Sequence, residues 1–156
     1  MMWQYYILSG LVGSEMCIRD SPYRYQMVAN NVINDSKSTN YHSLSYALKE
    51  AKNFFKGLNF VLIVCGDPKK ENFRNISLHE PEEVFIFGVH SKDIDKCINH
   101  PKKTMMSSLS QTLETIYKQR TTKNILFSPG YPSGKDFNNF KERGEHFNLL
   151  LKNYIS

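Results

Sequence analysis

Three short, unbroken apolar runs set among amphipathic stretches constrain this chain more than any other feature. They are Phe60–Val64, Val84–Val89 and Ile125–Phe127, and each reads as a buried strand. Between them the period changes. Leu44, Ala47, Leu48, Ala51 and Phe55 recur at helical spacing, with Gly57 as a stop. A second helix is predicted from about Lys92 to Ile98, followed by a weaker strand near Thr104–Met106. Leu109, Leu113, Ile116 and Tyr117 predict a third helix, and Phe140, Phe147, Leu150, Leu151 and Tyr154 a fourth. Met27–Ala29 and Val32–Ile33 flank Asn30-Asn31, a tight hairpin turn. Strands alternating with helices predict an α/β fold: a single Rossmann-like three-layer domain with a mostly parallel sheet and helices on both faces.

The front of the chain follows a different logic. Leu11–Ser21 reads LVGSEMCIRDS, which matches, codon by codon, the translation of a transposase sequencing adapter. Residues 1–21 are therefore expected to be artefactual and disordered, with natural sequence entering at about Pro22 and the domain occupying 22–156. This also removes a secretory-signal reading of MMWQYYILSGLVG. No Lys or Arg precedes it, Ser9 and Gly10 break its apolar run, and no small-residue cleavage site follows. The segment is too short to span a bilayer. From Pro22 the length suits one domain with a real core and is too short for two.

The formal net charge is +5, and setting aside Glu15, Arg19 and Asp20 raises it to +6. The basic residues are scattered among acids rather than gathered into a stripe with interleaved aromatics. That pattern fits small anionic ligands and argues against a nucleic-acid reader. Cys65 and Cys97 have no CxxC partner, and the five histidines lack ligand spacing, so neither a disulfide framework nor a zinc site is supported. A reducing cytoplasm is the expected compartment.

Three loops follow predicted strands: DSKSTN from Asp35, GDPKK from Gly66, and SPGYPSGKD from Ser128. In a parallel sheet such loops share the carboxyl edge, where ligands collect. The segment Gly130–Lys135 invites comparison with a phosphate-binding P-loop, but its glycines are one residue too close and Asp136 stands where Ser or Thr must meet magnesium. What remains is Ser133 with free backbone N–H groups just ahead of a helix, a place that favours carboxylate or phosphate. An ordinary strand-to-helix connection is the plainer alternative. Lys69 and Lys70 could pair with an anion above the sheet or be simply solvated. DSKSTN offers Asp35, Ser36, Lys37 and Thr39, or else an N-cap cluster for the following helix.

The order INDSKSTN, GDPKK, then SPGYPSGKDFNNFKERGEHF resembles the C-terminal domain of the Mur ligases, and within them the D-glutamate-adding branch. That family shows NDSKATN, GGxxK, and SPACAS followed by a segment like DxFKNFExRGxxF. The similarity runs from about Pro22 to Tyr154, and Asn139-Phe140, Arg143-Gly144 and Phe147 are its most specific part. It implies a cytoplasmic three-domain enzyme of peptidoglycan synthesis. ATP with Mg2+ would phosphorylate the carboxylate of UDP-MurNAc-L-alanine, and the amine of D-glutamate would attack the acyl phosphate to give an amide, ADP and phosphate. Carried across by position, Thr39, Lys69, Ser133 and Phe140 match the family's D-glutamate contacts, and Lys37 lies near the same anion. Arg24 and Asp35 match residues near the nucleotide.

Departures from the pattern are Gly130-Tyr131-Pro132 for Ala-Cys-Ala, Cys65-Gly66 for Gly-Gly, and Tyr23 for a His. No GxxxxGK[ST] occurs, so the ATP cradle, the Mg2+ ligands and the UDP-binding part are expected elsewhere, leaving this fragment inert by itself and holding no cofactor alone. Neither nucleic acid nor membrane is an expected partner, and a monomer is expected. The alternatives are another Mur or folylpolyglutamate synthetase-like ligase, and a stand-alone non-catalytic α/β binding module.

Overall fold

A computed structural model describes residues 22–68 and 75–155. The strands are β1 (Gln26–Ala29), β2 (Val32–Asn34), β3 (Val61–Cys65), β4 (Ile76–Ser77), β5 (Glu83–Phe87), β6 (Ile98–Asn99), β7 (Lys103–Met106) and β8 (Ile125–Gly130). The helices are α1 (Tyr41–Phe54), α2 (Ser91–Cys97), α3 (Leu109–Gln119) and α4 (Phe140–Leu151). Six strands form one sheet in the order β1-β2-β8-β3-β5-β7, and β4 and β6 form a small parallel pair. Only β1 runs antiparallel, joined to β2 by the expected turn at Asn30-Asn31, with Ala29 opposite Val32.

The three apolar runs become the three central strands. Every residue of β3, β5 and β8 is buried, as strands covered on both faces must be. Successive side chains point to opposite faces, and the two cores follow that alternation. Leu62 and Val64 face a cluster containing Leu44, Leu48 and Ala51 of α1 and Ile94 of α2. Val61, Ile63 and Cys65 face Leu113 and Ile116 of α3 and Phe147 and Leu151 of α4. On that second face the Phe127 and Phe147 rings stack at 4.5 Å. The three-layer α/β fold expected from the sequence is the fold observed.

Two elements differ from the sequence reading. The β4–β6 pair was not expected, because each strand has two residues and no recoverable period. Strand β8 runs three residues beyond Phe127, through Ser128 and Pro129 to Gly130. Pro129 lacks an N–H and lies where the register of β8 against β3 shifts, a place where a strand tolerates proline.

Candidate functional site

Strands β2, β8 and β3 are neighbours, so the three singled-out loops leave adjacent strands at one carboxyl edge. Their backbones are tied together there. The Asp35 N–H donates to the Phe127 carbonyl at 2.7 Å and the Gly130 N–H to the Ser38 carbonyl at 3.1 Å. The Asp67 N–H donates to the Pro132 carbonyl at 2.9 Å. Gly66 makes that last approach possible. Its φ of +122° disfavours a side chain, and an added Cβ would lie 2.3 Å from the Pro132 carbonyl oxygen. This is the second residue of the departed Gly-Gly motif, so the glycine retained is one the packing requires.

The first loop divides its polar residues between frame and surface. Asp35 and Ser36 are buried. One Asp35 carboxylate oxygen accepts from the Tyr25 N–H at 2.7 Å and the other from the Ser128 hydroxyl at 2.8 Å. Burial pushes its pKa up to about 7, against the pull of the Ser128 and Tyr25 donors and the Arg24 and Arg143 charges. Both oxygens thus serve the frame. Asn40 is the N-cap of α1, its side chain accepting from the Ser43 N–H at 2.8 Å, so the capping alternative holds for that residue. Lys37 and Thr39, between these anchors, are half-buried. Arg24, also half-buried, precedes the Tyr25 amide that Asp35 holds.

The last loop corrects one expectation. Ser133 was expected just ahead of a helix N-terminus, but α4 starts at Phe140, and a turn over 134–136 intervenes. The first-turn donor expected for an anion is instead capped by Asn139, which accepts from the Glu142 N–H at 2.8 Å. Ser133 is therefore not seated on the N-terminus of α4, and its hydroxyl is the side-chain group it offers an anion. The Tyr131 departure is absorbed by the core, since its side chain is fully buried with the α1 cluster. That leaves the Tyr131 and Pro132 carbonyls fixed and Ser133 half-buried at the edge. The rejected P-loop stays rejected, because Asp136 caps the other side of the loop, accepting from the Val89 N–H at 2.9 Å.

Among the expected site residues, the fold brings Lys37 and Phe140 together, with the ammonium 5.5 Å from the ring centroid. Ser133 sits on the loop running between β8 and Phe140. Lys69 lies outside the described residues.

Two features escaped the sequence reading. His90 places Nε2 3.8 Å from Asp67 and Nδ1 3.9 Å from Asp93, linking the loops after β3 and β5; no spacing signals it. Arg143 was visible only as a motif letter. It is fully buried and donates to three oxygens: Nε to the Ser36 hydroxyl at 3.1 Å, Nη2 to the Ser36 carbonyl at 2.7 Å, and Nη1 to the Tyr131 carbonyl at 3.0 Å. The Ser36 hydroxyl in turn donates to the Phe140 carbonyl at 2.8 Å. Gly144 beside it has no room for a side chain, since a Cβ would lie 2.5 Å from the Tyr23 ring. No helix of the described residues is long and apolar enough to cross a membrane, and no group of three or more His, Cys, Asp or Glu there could hold a metal ion.

No family profile matches the chain. It is 31% identical over 141 residues to the UDP-N-acetylmuramoylalanine--D-glutamate ligase of Petrotoga mobilis (strain DSM 10674 / SJ95), covering 83% of this chain and 31% of that protein. To the ligase of the same name from Hydrogenobaculum sp. (strain Y04AAS1) it is 33% identical, covering 86% of this chain and 34% of the relative. The chain thus spans about a third of the length of the curated relatives it matches. The fold is similar to that of a murein peptide ligase from Psychrobacter arcticus 273-4, with a TM-score of 0.52 at 10% identity, over 91% of this chain and 33% of that one.

Proposed function

We propose that this chain, which belongs to the Mur ligase family, holds D-glutamate for its joining to UDP-MurNAc-L-alanine in an ATP-dependent, amide-forming ligase. The observation that carries this reading is the shared carboxyl edge of β2, β8 and β3, where Lys37 rests on Phe140 beside the loop bearing Ser133. A dicarboxylate needs cations and hydroxyl donors on a frame that does not rearrange on binding. Lys37 supplies a point charge there, Thr39 and Ser133 supply hydroxyls, and the family resemblance offers Lys69 as a second cation. Phe140 fixes the Lys37 ammonium by its ring face and gives the ligand's methylenes an apolar wall.

ATP with Mg2+ would supply activation of the acceptor carboxylate when bound. Arg24, half-buried beside β1, is the residue offered to the nucleotide. Asp35 fits that role only through the backbone it holds, because its carboxylate is turned inward. This chain's part in the reaction is to bind and orient D-glutamate so that its amine faces the activated carboxylate, a proximity contribution.

Titration of the 15N-labelled chain with D-glutamate tests the reading. Amide shifts are expected over residues 36–39 and 133–135, and Lys37→Ala should weaken the apparent affinity by about tenfold, as loss of a charge-assisted contact does. Equal response to L-lysine or meso-diaminopimelate, or none to D-glutamate, would overturn it.

A further inference from the structure

We infer that Arg143 is a positioning residue that locks the loop carrying Lys37 and Thr39 to the loop carrying Ser133, so that the two halves of the amino-acid site behave as one rigid body. The inference deepens the proposed function and takes from it only the identity of the ligand. Arg143 lies on the first turns of α4, yet none of its side-chain bonds goes to its own helix. Nε and Nη2 hold the hydroxyl and carbonyl of Ser36, directly before Lys37, and Nη1 holds the carbonyl of Tyr131, two residues before Ser133. The Ser36 hydroxyl, held by Nε, donates its own hydrogen bond to the Phe140 carbonyl. One guanidinium therefore fixes the backbone beneath three expected ligand contacts: Lys37, Ser133 and Phe140.

Only arginine can do this. Its planar fork presents donors in several fixed directions, whereas a lysine ammonium on its flexible stem is a point charge. The side chain is fully buried, so each carbonyl released by a shorter residue would lose its partner without gaining water. One backbone link runs parallel to it, Gly130 N–H to the Ser38 carbonyl, and the Lys37 N–H is held separately by the Tyr23 carbonyl. These amides report on the lock without any ligand.

Hydrogen exchange on the full chain, free of ligand, tests the coupling. In Arg143→Lys the amides of Lys37, Ser38, Gly130 and Asp67 should exchange faster together, by roughly tenfold or more, while Ile63 and Phe85 in β3 and β5 keep wild-type rates. A control of comparable stability loss, Leu113→Ala in α3, should leave the four loop amides slow relative to the core. The D-glutamate midpoint of Arg143→Lys should rise by a similar factor.

Wild-type loop exchange in Arg143→Lys, or acceleration confined to one loop, would overturn the inference. Coupled acceleration in a chain that never responds to D-glutamate would sustain the lock and sink the ligand assignment. Should Arg143→Lys fail to fold, Ser36→Ala decides, since it removes the hydroxyl that Nε and the Phe140 carbonyl share. Faster exchange in both loops of that variant supports the lock, and an effect on the first loop alone refutes it.

Discussion

Asp35 shows how one motif letter can carry a structural role in place of a contact. Its carboxylate is buried, accepts from Tyr25 and Ser128, and has a pKa raised to about 7 from an ordinary value near 3.8. The folded state then holds more protons than the unfolded state between those values, so this residue's contribution to stability is full below about pH 3.8 and is lost as pH rises through about 7. Asn has the shape and donor of the protonated acid. Asp35→Asn should therefore fold and flatten the decline in stability over that interval, as read by urea unfolding at a series of pH values. An unchanged pH profile would assign the decline to another group. Glu83 behaves oppositely. Burial alone would raise its pKa, but the Arg120 and Thr104 hydrogen bonds and the nearby Lys102 charge hold it below the usual carboxylate range. Arg120→Met leaves that buried carboxylate with weaker partners and should cost about 1–3 kcal/mol in denaturant unfolding near neutral pH.

At the scale of elements, the site depends on where helices start. Asn40 caps α1 and Asn139 caps α4, each accepting from the N–H three residues on. Both lie inside motifs that read equally well as ligand sets or caps, because Asn, Ser and Asp serve either purpose and local sequence does not say which. Asn139→Ala should cost about 1 kcal/mol of stability. It should also free the start of α4, so that Phe140 no longer rests against Lys37. A D-glutamate affinity unaltered in that variant would show that the Lys37–Phe140 contact is incidental. Helix periodicity placed α1 and α3 well, because each has one buried stripe. Helix α4 was placed by the same apolar positions. Its buried face also includes Arg143 and Gly144, which a hydrophobic pattern cannot show.

Over the whole molecule, one sheet separates two apolar clusters, and strands β2, β3, β5 and β8 each serve both. Leu62 faces the α1 side and Ile63 the α3 and α4 side. Leu62→Ala and Ile63→Ala should each cost about 2–5 kcal/mol and shift the same cooperative unfolding transition. Two resolved transitions would mean that the layers melt separately. The sequence by itself determined the six strands of the main sheet, the helices and the parallel three-layer plan, because side-chain period and run length are local quantities. It also placed the three loops on one edge, since parallel strands all end the same way. Which side chains meet there was decided only by tertiary structure. The order β2-β8-β3 brings together loops nearly a hundred residues apart in the chain, and a turn delays α4 until Phe140. Burial then turns Asp35 and Arg143 into frame while leaving Lys37, Thr39 and Ser133 only half-buried. Those outcomes depend on contacts between distant segments, and no window of sequence contains them.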